Sequence, residues 1–263
     1  YAGNYDNKLY IGGSLGINRI VHSANKVIDE RFVNAEVFRR MRYEEWADSD
    51  ASGFNLTLGA IYKVTPDFQV GVNMATPTFM RIRRSLYEMA SVELVEPDDL
   101  PTAGRTHPWD FDYTQIGPFK ASLGGTWFLP NQLGFLTASA DFVGYKGMKL
   151  THNRERDGAW NDLTGWYRNV VNPKVGAEIR YENLRVRAGF AYFMDPYEGK
   201  LIDMKEDRMN VSGGLGYRGN RFFVDATLSY GKQQTAYQLF WGSDVGKVTY
   251  NDLSGVLTLG FNF

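Results

Sequence analysis

Residues 251–263, NDLSGVLTLGFNF, decide the fold of this chain. From Gly255 onward every second side chain is apolar, and small or polar residues stand between them. The apolar positions are Leu257, Leu259, Phe261 and Phe263. A period of two predicts a β-strand with one apolar and one small or polar face. A final strand that ends on an aromatic residue is typical of a transmembrane barrel, in which aromatic side chains lie at the membrane interface.

The same alternation recurs along the chain and predicts ten strands in all. They are 9–18, 54–63, 68–74, 119–129, 136–142, 174–181, 184–192, 209–217, 222–230 and 255–263. Residues 1–5 are interpreted as the end of a further strand. The intervening connections alternate strictly between short and long. Short turns are predicted at 6–7, 65–67, 130–132, 182–183 and 218–220, and long connections near 19–52, 75–117, 143–172, 195–207 and 231–252. Outer-membrane barrels sort their connections in this way, with short turns at one end and long loops at the other.

The second face of the strands carries Lys, Arg, Glu and Asp in mid-strand. A soluble β-sandwich could place that face in solvent, but its opposite face would then form one core about ten strands wide. In a barrel the charged face lines a wet lumen. Aromatic residues lie near the short turns on the apolar face, where one interfacial girdle belongs. They are Tyr62, Phe68, Trp127, Tyr181, Phe222 and Phe263. The predicted fold is therefore all-β, an antiparallel transmembrane β-barrel.

Composition excludes several other classes. The 263 residues carry a net charge of −1, with a pI near 6.4, so nucleic acid is not an expected partner. Mean hydropathy is −0.36, and no apolar run reaches the roughly 18 residues of a membrane helix. Cysteine is absent, so disulfides and thiolate sites are excluded. No signal peptide is visible at Tyr1, and the chain is expected to be a mature protein or a fragment.

The motifs that resemble catalytic or cofactor sites lie in strand contexts. The 12–16 segment GGSLG matches G-x-S-x-G, but no helix follows it as a nucleophile elbow requires, and glycines on a crowded inner face are the preferred interpretation. The 214–219 segment GLGYRG ends in a hairpin turn, which excludes a dinucleotide site. His22, His107 and His152 lack metal-ligand spacing. Spacing alone leaves open a hydrolase built on His107 and Asp110, yet the prediction is no enzyme, no metal and no cofactor.

The first two long connections carry apolar residues at helix-like spacings among charges. In 28–46 these are Ile28, Phe32, Ala35, Phe38 and Met41; in 76–96 they are Phe79, Met80, Ile82, Leu86 and Met89. These side chains either pack the loops together or form a groove that binds an apolar ligand. The second interpretation gives a candidate ligand-binding set: Phe32, Phe38, Met41, Phe79, Met80, Leu86 and Met89. Part of the first segment, 41–53, is equally compatible with a strand extension above the membrane.

Three arginines on neighbouring strands, Arg180, Arg185 and Arg187, are expected to project into the lumen. They complete the candidate ligand-binding set, because such a cluster can pair with a ligand carboxylate. The alternative is that they pair with the lumen carboxylates Glu178 and Asp141.

Four segments resemble the FadL/TodX family of outer-membrane transporters for hydrophobic compounds, in a form associated with Bacteroidetes. They are SGFNLTLGAIYKVTPDFQVGVNMATPTF at 52–79, NPKVGAEIRYENLRVRAGFAYFMDPY at 172–197, GGLGYRGNRFFVDATLSYGK at 213–232 and LTLGFNF at 257–263. The resemblance implies a fourteen-stranded barrel plugged by an N-terminal hatch. The ligand is caught between two outer loops, moves to a lumen site and leaves sideways through a kinked strand.

By this resemblance, residues 1–263 form one barrel domain that supplies the last ten strands, without the hatch, the first four strands and the kinked exit strand. Loops 19–52 and 75–117 correspond to the two groove loops. The implied function is passive uptake of hydrophobic small molecules, such as long-chain fatty acids, across the bacterial outer membrane. The alternative is a structural or accessory barrel docked in an outer-membrane protein assembly. Expected partners are membrane lipid and lipopolysaccharide, a hydrophobic small molecule and an outer-membrane protein.

Overall fold

The structure, a computed structural model, describes residues 1–34, 36–95, 103–105, 107–152, 165–198, 205–238 and 243–261. Its strands are β1 (Ala2–Tyr5), β2 (Leu9–Arg31), β3 (Phe38–Thr65), β4 (Phe68–Ala75), β5 (Phe79–Leu94), β6 (Ala103–Arg105), β7 (Trp109–Ile116), β8 (Phe119–Phe128), β9 (Gly134–Gly144), β10 (Lys149–His152), β11 (Val170–Tyr181), β12 (Leu184–Phe193), β13 (Arg208–Arg218), β14 (Phe222–Gln238) and β15 (Val245–Phe261). Two short 3-10 turns lie at Pro130–Gln132 and Tyr145–Gly147. No helix in the described part of the chain is long and apolar enough to cross a membrane.

All described strands belong to one antiparallel sheet. In the lower part of the sheet the order is β1, β2, β3, β4, β8, β9, β11, β12, β13, β14 and β15. In the upper part, β3 pairs with β5, β5 with β7 and β7 with β10, so that β5 lies above β4, β7 above β8 and β10 above β9. Within the described residues β1 pairs only with β2, and β15 only with β14. Each of the ten predicted strands is present, although residues 262–263 of the last lie outside the described residues.

The short turns match their predicted positions, whereas much of the predicted long connections is strand. β2 and β3 pair without a register break from Leu9–Tyr62 to Arg31–Arg40. The prediction that 28–46 and 76–96 lie in long connections is therefore wrong for most of their described residues, and the strand extension of 41–53 is confirmed; Ala35 and Glu96 lie outside the described residues. The helix-like spacing of the apolar residues does not decide the structure here. Strand β3 has a partner strand on each side, and the hydrogen bonds between strands satisfy the backbone groups that a helix would satisfy internally.

The apolar face points outward along its whole length. Large side chains on it are widely exposed, among them Leu58 at 54%, Leu215 at 65% and Leu259 at 64%. The predicted girdle residues Tyr62, Phe68, Trp127, Tyr181 and Phe222 are exposed on the same face, while Phe263 lies outside the described residues. So large an exposed apolar surface is the property of a protein that meets lipid rather than water.

Three neighbouring strands are interrupted at one level of the sheet. The breaks fall at 76–78 between β4 and β5, at 117–118 between β7 and β8, and at 145–148 between β9 and β10. Pro77 and Pro118 lack the backbone donor that a continuous ladder needs. Thr76 compensates, because its backbone N–H donates to the Leu56 carbonyl at 2.9 Å and its hydroxyl accepts from the Leu56 N–H at 3.0 Å. The strands above the breaks, with the upper parts of β2 and β3, form an extension of the sheet.

Candidate functional site

A concave space of about 900 Å³ lies against the inner face of β1, β2, β3, β4 and β8. It is wide open on one side. Its inner-face lining consists mainly of glycines and small polar residues: Gly12, Ser14, Thr57, Gly59, Gly71, Asn73 and Ser122. The volume falls within the roughly 300–1,000 Å³ of small-molecule sites. The space is therefore a candidate site for a small molecule.

The register in which the strands pair creates this space. Gly12 stands directly opposite Gly59, and Gly71 directly opposite Gly124, so side chains are missing at adjacent positions of the wall. A Cβ added at Gly59 would meet its nearest neighbours at 3.5 Å, which is ordinary contact. The prediction of a crowded inner face is thus wrong at Gly12, where the nearest atom would also lie at 3.5 Å. It is right at Gly16, where a Cβ would approach Asn55 Oδ1 to 2.5 Å.

An apolar strip leads down the inner face of the extension toward this space. Two rows of direct cross-strand partners form it: Ile20, Ala51, Ile82 and Tyr113 in the lower row, and Ala24, Ala47, Leu86 and Trp109 in the upper row. Ala47, Ala51 and Ile82 are no more than 6% exposed. An apolar molecule can therefore contact hydrophobic side chains before it reaches the glycine-lined wall.

Arg84 interrupts the apolar strip between its two rows. Its neighbours across the strands are Ser49 on β3 and Phe111 on β7. The Nε atom of Arg84 is buried and has no hydrogen-bond partner among the residues that the structure describes. A buried donor without a partner costs free energy, which an anionic group on a bound molecule would recover. The sequence alone does not single out Arg84, because only the register shows which of the consecutive Arg83 and Arg84 faces inward.

The structure divides the seven predicted groove residues among three places. Met41, Met80 and Leu86 share the inner face of the extension, whereas Phe79 and Met89 lie on its outer face. Phe32 and Phe38 pack at the tip of the β2–β3 hairpin, with ring centroids 6.3 Å apart. The seven side chains therefore form no single surface, and the inner-face three are those that line the path to the cavity.

A hydrogen-bonded polar group lies above the apolar strip. The Tyr43 hydroxyl contacts Glu88 at 2.6 Å and Glu45 at 3.2 Å. Burial raises the pKa of Tyr43, and the two carboxylates raise it further. The phenol therefore stays protonated at physiological pH and donates its proton to a carboxylate.

The predicted arginine cluster lies on the inner face of β11 and β12, near the short turns. Glu178 is its hub: it accepts from Arg180 Nε and from Arg187 Nε, each at 2.6 Å. Arg187 also reaches Asp225 on β14 at 2.6 Å, and the Asp225 carboxylate lies over the side-chain-free position of Gly216 on β13. Arg218 pairs with the same Asp225 at 2.8 Å.

Arg185 differs from the two other predicted arginines. It lies directly opposite Arg180, and it donates to the backbone carbonyls of Glu182 at 2.9 Å and Leu184 at 3.0 Å. Four arginines in this cluster face two carboxylates, so positive charge is in excess. Arg180 and Arg187 therefore follow the alternative interpretation, in which the arginines pair with carboxylates of the lumen. Asp141, its second expected carboxylate, pairs with Lys174 instead.

The motifs that resemble catalytic sites have structural roles. Ser14 lies inside the continuous β2–β3 ladder, and the 214–219 segment leads into the β13–β14 hairpin. His22 and His107 are exposed, and the side chain of His152 lies outside the described residues. Asp110 accepts a hydrogen bond from Ser85 at 2.6 Å. Among the described residues no group of three or more His, Cys, Asp or Glu side chains could hold a metal ion.

No protein-family model matches the chain, and no curated protein matches it. Among solved structures, the chain is similar to the crystal structure of a Pseudomonas aeruginosa FadL homologue, with a TM-score of 0.57 and 16% sequence identity. The match covers 98% of this chain and 64% of that chain, so this chain spans less than two thirds of the neighbour's length. The likeness shows a FadL-like outer-membrane barrel fold.

Proposed function

We propose that this chain is one barrel domain of a bacterial outer-membrane channel for the passive uptake of hydrophobic small molecules, such as long-chain fatty acids. The observation that carries the proposal is that an apolar strip and a glycine-lined space of about 900 Å³ lie on the same inner face, the space below the strip and separated from it by the two rows that hold Asn18 and Asn55. The FadL-like fold supports it. Met80 and Leu86 would contact an entering apolar chain, and their flexible or branched side chains suit varied ligands.

Cations along the inner face fit a ligand with a carboxylate end. Arg84 would meet that group within the apolar strip. Arg185 would meet it near the short turns, where positive charge exceeds negative charge. Both guanidiniums lack a carboxylate partner among the described residues, so neither ion pair has to break before the ligand binds.

Filling the glycine-lined space tests the proposal. Gly59→Phe is expected to fold, because its Cβ meets only ordinary contacts, and to reduce fatty-acid uptake to background because the ring occupies the space. The measurement is uptake of a fluorescent long-chain fatty acid into proteoliposomes. Gly255→Phe is the matched control, because its Cβ lies 3.5 Å from Leu228 on the lipid-facing side and its uptake should match wild type. Wild-type uptake by Gly59→Phe would refute the proposed path.

Opposite ends of the strands are expected to face opposite sides of the outer membrane. The chain has no cysteine, so single cysteines can be placed at Val33, which is 85% exposed at the β2–β3 tip, and at Asn131 in a short turn. A membrane-impermeant maleimide should label position 33 in intact cells and position 131 only after permeabilisation. Labelling of position 131 in intact cells would reverse the proposed orientation.

The second candidate function is that of a barrel docked in an outer-membrane assembly. The extension favours it, because β2 continues for 14 residues beyond Ile17, or roughly 45 Å of strand, and its outer face carries ion pairs such as Arg39–Glu93. Pull-down from native membranes, combined with mass spectrometry of extracted lipid, distinguishes the two functions. A stoichiometric protein partner without an apolar ligand would favour docking.

A further inference from the structure

The strand register fixes the level at which the apolar outer face ends. Four residues form its last row on β2, β3, β5 and β7, each the direct partner of the next: Ile17, Phe54, Phe79 and Ile116. The Phe54 and Phe79 rings stack at 5.5 Å. From Leu9 to Ile17, β2 matches the roughly 9–11 residues of a transmembrane strand. This row therefore marks the outer boundary of the lipid hydrocarbon.

Cations occupy the same outer face immediately at and above this boundary. We define the rim patch as Arg19, Arg81, Arg83 and Lys149. Lys149 is the direct partner of Ile116 in the boundary row. Arg19 and Arg81 follow Ile17 and Phe79 by two positions along their strands and therefore point the same way. Arg83 lies one further row up.

The rim patch carries an excess of positive charge. Arg19 pairs with Asp50, and Arg81 with Asp112, each at 3.2 Å. These pairs are wide open to solvent, with Arg19 73% and Arg81 60% exposed, so each guanidinium keeps donors available. Arg83 and Lys149 form no ion pair among the described residues.

Strands β13, β14 and β15, at the far end of the strand order, have fewer outward-facing cations at this level than the rim patch. At the upper end of the apolar face on β13, β14 and β15, Lys232 faces outward opposite Met209 and Asn251, and Lys247 faces outward two rows higher on β15. Asn251 accepts a hydrogen bond from the Tyr230 hydroxyl at 2.8 Å. Amide and hydroxyl groups therefore dominate the boundary there, in contrast to the four cations of the rim patch.

We propose that the rim patch binds the phosphate groups of a bisphosphorylated glycolipid in the outer leaflet, chemically a lipid A. One such molecule would lay its acyl chains on Ile17 and Phe54 while its phosphates meet Arg81, Arg83 and Lys149. Guanidinium groups bind phosphate oxygens through paired, charge-assisted hydrogen bonds. The continuity of the apolar row with the cations at the lipid boundary favours a lipid over a protein partner.

Native mass spectrometry of the detergent-purified protein tests this site with two probes, bisphosphorylated lipid A and the same lipid after chemical dephosphorylation. Wild type should prefer the phosphorylated probe. Arg83→Gln combined with Lys149→Gln should weaken binding of the phosphorylated probe about 25-fold, at about fivefold for each cation near the membrane surface. Binding of the dephosphorylated probe should not change.

Arg31→Gln combined with Lys232→Gln is the matched control, because it removes the same charge at the hairpin tip and on the far side of the sheet. It should keep the wild-type affinity for both probes. Arg31, Arg83 and Lys149 are exposed and Lys232 is half-buried, so both variants should fold, which heat-modifiable gel mobility verifies. Equal weakening in both double variants, or equal binding of both probes to wild type, would overturn the proposal. So would a rim-patch variant that keeps lipid A but loses a protein partner.

Discussion

Leu58→Arg is expected to lower the free energy of unfolding by about 2–4 kcal/mol, the cost of an arginine at the middle of a lipid-facing strand. Leu58 lies in the third of the five outward rows that join Leu9–Tyr62 to Ile17–Phe54. It is therefore as far from both membrane surfaces as a side chain on β3 can be. It also covers Gly13 opposite, since a Cβ there would lie 2.9 Å from Leu58 Cδ2. An arginine would lose this contact and could not bring its charge to water without deforming the bilayer.

Thr57→Arg is the matched control, one residue along the same strand. Thr57 faces inward beside the glycine-lined space, where a guanidinium can remain hydrated. Its free energy of unfolding should change far less than that of Leu58→Arg. Urea unfolding in phospholipid vesicles, followed by tryptophan fluorescence, measures both. Equal losses for the two variants would mean that the faces of β3 are wrongly assigned.

The period of two was sufficient to predict the ten strands, their short turns and both faces. Every outward residue of β11 and β12 pairs with another outward residue, as in Val175–Phe190 and Ile179–Val186, because alternation constrains register wherever one face is apolar. Above the lipid boundary this constraint disappears. Outward positions there mix charged residues with apolar ones such as Val21, Trp46 and Met89, so the alternation fades although the ladder continues. The sequence therefore predicts long connections over the upper parts of β2, β3 and β5, with a strand extension left open only at 41–53.

The candidate site depends on partners that are distant in sequence. Gly12, Gly59, Gly71 and Gly124 are unremarkable glycines along the chain, and only their pairing across β2, β3, β4 and β8 leaves an open wall. The pairing of Arg187 with Asp225 likewise requires Gly216 on the strand between them, because a Cβ there would lie 2.4 Å from Asp225 Oδ1. Sequence patterns identify which side chains share a face. They do not specify which of those side chains become neighbours, because that follows from register over several strands.

Gly134→Ala is expected to lower the free energy of unfolding by roughly 2–6 kcal/mol, the largest loss expected from one added methyl group at any glycine that the structure describes. Gly134 follows the Pro130–Gln132 turn and has a φ of +148°, a conformation that strains an L-residue by about 1–3 kcal/mol. Its added Cβ would lie 1.9 Å from the Glu178 carbonyl oxygen on β11, so the strands must separate. Overpacking of this kind costs about another 1–3 kcal/mol.

The displaced backbone also carries the Glu178 side chain, which holds Arg180 and Arg187 on the inner face. Gly134→Ala should therefore weaken these ion pairs. The double variant Gly134→Ala/Glu178→Gln should then lose less free energy of unfolding than the sum of the losses of the two single variants. Gly147→Ala is the control, because a Cβ there meets no atom within 4 Å, and it should change stability by no more than about 0.5 kcal/mol. Equilibrium unfolding in vesicles compares the three single variants and the double variant. If Gly134→Ala unfolds at the same urea concentration as Gly147→Ala, β11 does not approach the turn as closely as the structure shows. The contact between Gly134 and the Glu178 backbone then does not position the arginine cluster.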